Sequence, residues 1–140
     1  MFLVLSRLTV SASAAESVVG SVKTAQGAVV RRGADTIPIR EGMHLLLNDT
    51  LRTAADGRLG LILQDGTRIS LGPNTELRID QFVYEPVDGK FSLLLRLRRG
   101  VMAYISGQIA RFSPGSVSVE TPTAVLGLRG TEFAVSIERS

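Results

Sequence analysis

Residues 58–71 read Arg-Leu-Gly-Leu-Ile-Leu-Gln-Asp-Gly-Thr-Arg-Ile-Ser-Leu. In an extended chain Leu59, Leu61 and Leu63 fall on one face. Ile69 and Leu71 do the same in the second run, with Arg68 and Ser70 opposite. Asp65-Gly66 lies between the runs, and both residue types tolerate the positive φ of a tight turn. Two alternating runs across such a turn make a hairpin with one apolar and one polar face. That is the mark of antiparallel sheet packed on one side.

The period of two continues outward from this hairpin. Leu77 and Ile79 face inward against an outer row of Glu76, Arg78 and Asp80, and Leu93, Leu95 and Leu97 alternate with Leu94, Arg96 and Arg98. Val117 and Val119 alternate with Ser116, Ser118 and Glu120, and Phe133, Val135 and Ile137 with Glu132, Ala134, Ser136 and Glu138. Asp56-Gly57, Asp88-Gly89, Gly72-Pro73-Asn74 and Ser113-Pro114-Gly115 punctuate the runs, and Ser106-Gly107 reads as a hairpin turn. Breaks every 8 to 12 residues or so suit a sandwich, a barrel or a short β-solenoid. About ten to twelve short strands follow, near 17–23, 27–32, 36–39, 50–53, 57–63, 67–71, 75–83, 90–99, 101–105, 108–112, 116–121 and 131–137. No stretch has a capped 3.6 period, and 41–47 reads as a turn. The expected fold is all-β: a compact antiparallel sandwich or jelly-roll-like domain, or a short rolled β-solenoid.

With 140 residues, the chain suits one domain with a real core, expected over 16–140. Residues 1–14, MFLVLSRLTVSASA, read as an imperfect signal peptide or, failing that, a disordered tail. The stretch opens apolar and ends in an Ala12-Ser13-Ala14 cleavage pattern, but no basic residue leads it and Arg7 interrupts it. Nothing else approaches the roughly 18 to 20 apolar residues of a membrane span. If that signal is used, the expected location is periplasmic or secreted.

The chain has no cysteine and one histidine, His44. That excludes disulfides, iron–sulfur and thiolate-zinc sites, a thiol nucleophile and a multi-His metal site. No Gly-x-Ser-x-Gly elbow appears, and Asp49, Asp56, Asp65 and Asp88 are too dispersed for a calcium loop. The reading is therefore no enzyme, no metal and no cofactor. Sixteen Lys+Arg against thirteen Asp+Glu give a net charge of +3. Only Lys23 and Lys90 are lysines, and arginine clusters at Arg31-Arg32 and Arg96-Leu97-Arg98-Arg99. Nucleic-acid binding would want aromatics interleaved with those arginines. The few aromatics sit instead in apolar alternating runs, so no nucleic-acid partner is expected.

The order of motifs resembles the FecR-type domain of bacterial envelope proteins. The resemblance is carried by Gly20-Ser21-Val22, Gly27-Ala28-Val29, Pro38 and Gly42. It continues through Asn48-Asp49-Thr50-Leu51-Arg52-Thr53, Asp56-Gly57-Arg58-Leu59 and 63–75, and closes on 121–133, Thr-Pro-Thr-Ala-Val-Leu-Gly-Leu-Arg-Gly-Thr-Glu-Phe. Asn48 stands where the family usually has glycine, and asparagine also tolerates left-handed backbone. The resemblance implies a non-catalytic envelope domain that binds or signals through protein contacts. In the best-known members it follows a cytoplasmic anti-sigma segment and a membrane helix, and relays iron-siderophore status from an outer-membrane receptor. Here the expectation is a stand-alone module without that segment or helix.

Arg96, Arg98 and Arg99 are the candidate contacts for an envelope protein. Arg129, in a glycine corner, either joins them or ties strands together by pairing with an acid such as Asp65 or Glu120. Phe82, Tyr84 and Tyr104 are a candidate aromatic platform for a carbohydrate or cell-wall glycan, set against ordinary core packing.

Overall fold

The computed structural model describes residues 17–130 and 132–137; the expected signal segment lies outside them. Ten strands form one hydrogen-bonded sheet: β1 Val18–Arg32, β2 Asp35–Pro38, β3 His44–Leu46, β4 Thr50–Leu63, β5 Arg68–Leu71, β6 Glu76–Glu85, β7 Lys90–Ile105, β8 Val117–Glu120, β9 Val125–Gly127 and β10 Glu132–Ile137. One short helix, α1, spans Gln108–Phe112. Every ladder is antiparallel except β7 with β8. The chain is all-β, as its alternation predicts.

Three strands are far longer than expected: 15 residues in β1, 14 in β4 and 16 in β7. Each serves two sets of neighbours. The first part of β1 pairs with Leu59–Leu63 of β4, which pairs in turn with β5. The last part of β1 pairs with Thr50–Thr53, and that stretch meets β6. Residues 90–99 of β7 lie between β6 and β8, and residues 100–105 adjoin β5 and β10. A sheet whose long strands pass from one half to the other at bends closes over a shared interior. The inward residues of both halves, among them Leu59, Leu61, Ile69, Met102 and Tyr104 from one and Leu51, Leu77, Leu95 and Val119 from the other, form a single core.

The expected breaks inside these strands are bends rather than turns. Asp56-Gly57 is not a hairpin turn: Gly57 lies within β4 and faces Gly27 of β1. A Cβ on Gly57 would stand 2.5 Å from the Gly27 carbonyl oxygen and 2.7 Å from the Ala54 nitrogen. The register of the β1–β4 ladder jumps at the same place. Only two chains without side chains approach this closely, so β1 and β4 bend together. β7 bends at Gly100, φ 97°, with Thr75 packed where a side chain would go.

Residues 108–112 form α1, not a strand, and Ser106-Gly107 is not a hairpin turn. The cause is tertiary. Asp65 accepts the Gln108 N–H on its backbone oxygen at 2.8 Å and the Ile109 N–H on Oδ2 at 3.0 Å, satisfying donors that a five-residue helix leaves open. The three-residue strands β3 and β9 were too short to show a period. Asn48 adopts left-handed backbone, φ 72°, so the corner that glycine usually makes is kept.

Candidate functional site

Cross-strand register sets the outer face of the second half. Arg31 of β1 lies opposite Thr50 of β4, Thr50 opposite Arg78 of β6, Arg78 opposite Arg96 of β7, and Arg96 beside Glu120 of β8. This rung crosses five strands. The next one runs Val29, Arg52, Glu76 and Arg99. The alternate residues Leu51, Leu77 and Leu97 are fully buried beneath them, so the pleat fixes the arginines outward.

Like charges directly opposite one another are destabilising, and Asp80 relieves the Arg78–Arg96 pair. Its Oδ1 lies 2.9 Å from Arg78 Nε and its Oδ2 3.1 Å from Arg96 Nη2. The first contact is an ion pair off the hydrogen-bond axis, since Oδ1 accepts no hydrogen bond from the described residues. Arg96 Nη2 also reaches Glu120 Oε1 at 2.6 Å. Glu76 draws in Arg52, Arg98 and Arg99 at 3.6, 3.6 and 3.7 Å. Five arginines (52, 78, 96, 98 and 99) thus share three acids (Glu76, Asp80 and Glu120), and with Arg31, which makes no ion pair among the described residues, the face has an excess of three charges. The paired arginines are 36% to 68% exposed. Exposed pairs contribute about 0–1 kcal/mol each, so fold stability does not account for this row.

The structure brings Arg96, Arg98 and Arg99 together and adds Arg31, Arg52 and Arg78, which the linear sequence did not group. Their shared face follows from register across non-adjacent strands. Arg129 is not on the rung. It is exposed, follows Leu128, whose N–H donates to Val117 at the opposite end of β8 from Glu120, and makes no ion pair among the described residues. Of its two expected acids, Glu120 binds Arg96, and Asp65 takes the Thr67 N–H and hydroxyl and the Ile109 N–H.

The aromatic platform is redrawn. Tyr104 is fully buried at the far end of β7, between Ile69 and Phe133 in the ladders, and cannot stack on a surface ligand. Burial, and then the negative charge of Asp65, push its hydroxyl up to about 12. The partly exposed rings are Phe82 and Tyr84 on the β6–β7 hairpin, joined by Phe91 and Phe112. Tyr84 and Phe91 lie 6.3 Å apart, and Phe91 and Phe112 stack at 5.6 Å and 19°. Phe112 is 60% exposed. Its place in the expected strand 108–112 hid this neighbour. Among the described residues no group of three His, Asp or Glu is placed to hold a metal, and His44 lies exposed on β3.

A bent, mostly antiparallel sheet with a charged outer face defines the class: an all-β module whose chemistry lies on a surface. The family model described as FecR protein matches residues 49–140, about two thirds of the chain, and the chain belongs to that family. The family is regulatory and associated with the cell envelope, and its domains take part in protein interactions. No curated protein and no solved structure matches the chain. Among the described residues no helix is long and apolar enough to cross a membrane.

Proposed function

We propose that this chain is a non-catalytic binding and signalling module of the bacterial envelope, working through protein contacts on its arginine face. One observation carries the reading: arginines from four strands are held outward in two rungs with too few acids to balance them. Arginine is the residue suited to such contacts, because its planar fork meets carboxylates at two points and is weakly hydrated. Family membership supports a regulatory role and protein interactions. In the best-known members the domain takes part in relaying a signal from an outer-membrane receptor, and this chain is read as a module that makes contacts of that kind without that full relay.

The test is cross-linked capture from an envelope extract, with mass-spectrometric identification of what is held. Wild type is expected to retain a defined envelope protein, and Arg96→Ser with Arg98→Ser to lose it while circular dichroism stays unchanged. Undiminished capture by that variant overturns the reading. A second reading, a cell-wall glycan module, draws on the stacked and exposed Phe91–Phe112 pair. Cosedimentation with peptidoglycan that is lost in Phe112→Ser would favour it.

A further inference from the structure

Between β1, β4, β6 and β7 the arginine face opens into a cleft of about 280 Å³ lined by Arg31, Thr50, Glu76, Arg78, Arg96 and Arg98, with Gly33 and Asn48 at its rim. From this cleft we infer that the face recognises an acidic polypeptide segment, one of whose carboxylates seats between Arg31 and Arg78; the inference rests on the protein-binding reading above and names the partner's chemistry.

Three observations support it. The first is the gap in the rung. Thr50 is a short polar residue between two arginines, so Arg31 and Arg78 stand two strand spacings apart, about 9–10 Å. With only the short Thr50 hydroxyl between their backbones at that spacing, the two long cationic side chains leave room for one carboxylate above Thr50. The second is the charge balance. Glu76 is the only acid among the described residues lining the cleft, against four arginines: Arg98 shares it with Arg52 and Arg99, and Arg78 and Arg96 turn to Asp80 and Glu120 outside the lining. Arg31 makes no ion pair among the described residues. Arg96 Nε is buried and has no hydrogen-bond partner among them. Arg31 and Arg96 Nε are therefore the groups of the cleft that lack an acceptor among the described residues, and an incoming carboxylate supplies it. The third is size. The volume lies under the roughly 300–1,000 Å³ of pockets that enclose a whole small molecule, and it suits a single acidic group. The exposed Arg52, Arg98 and Arg99 alongside extend the same sign of charge, as a segment with several acids requires.

Titration of the full chain with a fluorescent glutamate oligomer tests this, with a glutamine oligomer of equal length and inorganic phosphate as the other arms. The glutamate oligomer is expected to bind and to be weakened by added salt, and the glutamine oligomer not to bind. Arg31→Gln should weaken binding about tenfold, the scale of one charge-assisted contact, without lowering stability. Arg68→Gln, the same charge change on β5 at the other end of β4 from Thr50, should leave it unchanged. Thr50→Glu places a carboxylate of the chain's own in the gap and should abolish binding while the fold persists. Equal loss from Arg68→Gln and Arg31→Gln, binding of the glutamine oligomer, or saturation of the Arg31-dependent site by phosphate in place of the oligomer would overturn the inference. A chain that captures an envelope protein through Arg96 and Arg98 yet ignores the glutamate oligomer overturns this inference alone. One that binds the oligomer but captures no protein overturns the functional reading alone.

Discussion

Two buried aspartates bracket β4 and are held in opposite ways. Asp49 stands just before the strand and is 1% exposed. Arg32 grips it at two points, Nε to Oδ1 at 3.0 Å and Nη2 to Oδ2 at 2.8 Å, and the Leu46 N–H donates at 2.8 Å. Asp65 follows the strand and is 2% exposed. Among the described residues it meets no cation and is held by the Thr67 N–H and hydroxyl and the Ile109 N–H. The first corner balances charge with charge and stays in touch with water, since the Arg32 side chain is 31% exposed. The second is sealed and depends on neutral donors that have no other partner among the described residues. A buried carboxylate in this fold is thus either neutralised or capped, and the two devices should fail differently.

The largest expected effect tests the sealed corner. Asp65→Ala strands the Ile109 and Thr67 donors and frees α1, and it should cost about 4 kcal/mol, since bonds to a charged acceptor contribute roughly 1.5–3 kcal/mol each without adding fully. Urea denaturation measures it, and a loss under about 1 kcal/mol would show that the cap does not hold the helix. Next comes the paired corner. Arg32→Gln leaves Asp49 buried with the Leu46 N–H as its remaining donor, and it should cost about 2–3 kcal/mol, near the lower range for breaking a buried pair because water reaches this one. If Arg32→Gln cost more than Asp65→Ala, the ranking of the two devices would be reversed.

The smallest effect concerns the ring beside the sealed corner. The Tyr104 hydroxyl is buried with no hydrogen-bond partner among the described residues. Tyr104→Phe removes that polar atom and keeps the ring, so stability should change by less than about 1 kcal/mol, and upward. The ionisation follows the same geometry. Burial, then Asp65, raise the hydroxyl to about 12 from 10.0. Between those values the unfolded chain gives up a proton that the folded chain keeps, so stability falls as pH rises through that window. Below pH 10 the term is constant. Thermal melts across the alkaline range should show the fall in wild type and a shallower one in Tyr104→Phe; parallel curves would place the ionising group elsewhere.

Much of this architecture was legible in the chain, because period-two alternation reports directly on burial. Leu59, Leu61, Leu63, Ile69, Leu71, Leu77, Ile79, Leu93, Leu95 and Leu97 are all core, as their spacing requires. The Gly27, Gly57 and Gly100 positions were read as ends of strands. A glycine at a bend and a glycine at a turn look alike until the opposing chain is known, and here Gly57 answers to Gly27 across a ladder. The helix α1 depends on a carboxylate 44 residues away, which no local pattern carries. On the candidate face, Arg96, Arg98 and Arg99 stood out as a run. Arg31 and Arg78 join them only through the register of β1, β4 and β6. Tyr104 shows the limit of counting aromatics: it shares β7 with Phe91, and the length of that strand puts the two rings in different surroundings.

The long bent strands also govern how the chain reaches its structure. The β1–β2, β4–β5, β6–β7 and β8–β9 ladders close locally, but Gly20 meets Leu63, Ile69 meets Tyr104, and Leu93 meets Val117, so the ladders that join these hairpins must wait for distant segments to find each other. Such high contact order slows folding, because loop-closure entropy is spent before the pairings reward it. Since β1, β4 and β7 each run through both halves, neither half can assemble with its strands complete while the other is unformed. The expected kinetic consequence is slow folding: the bend that lets one sheet enclose its own core also ties both halves to the same distant pairings.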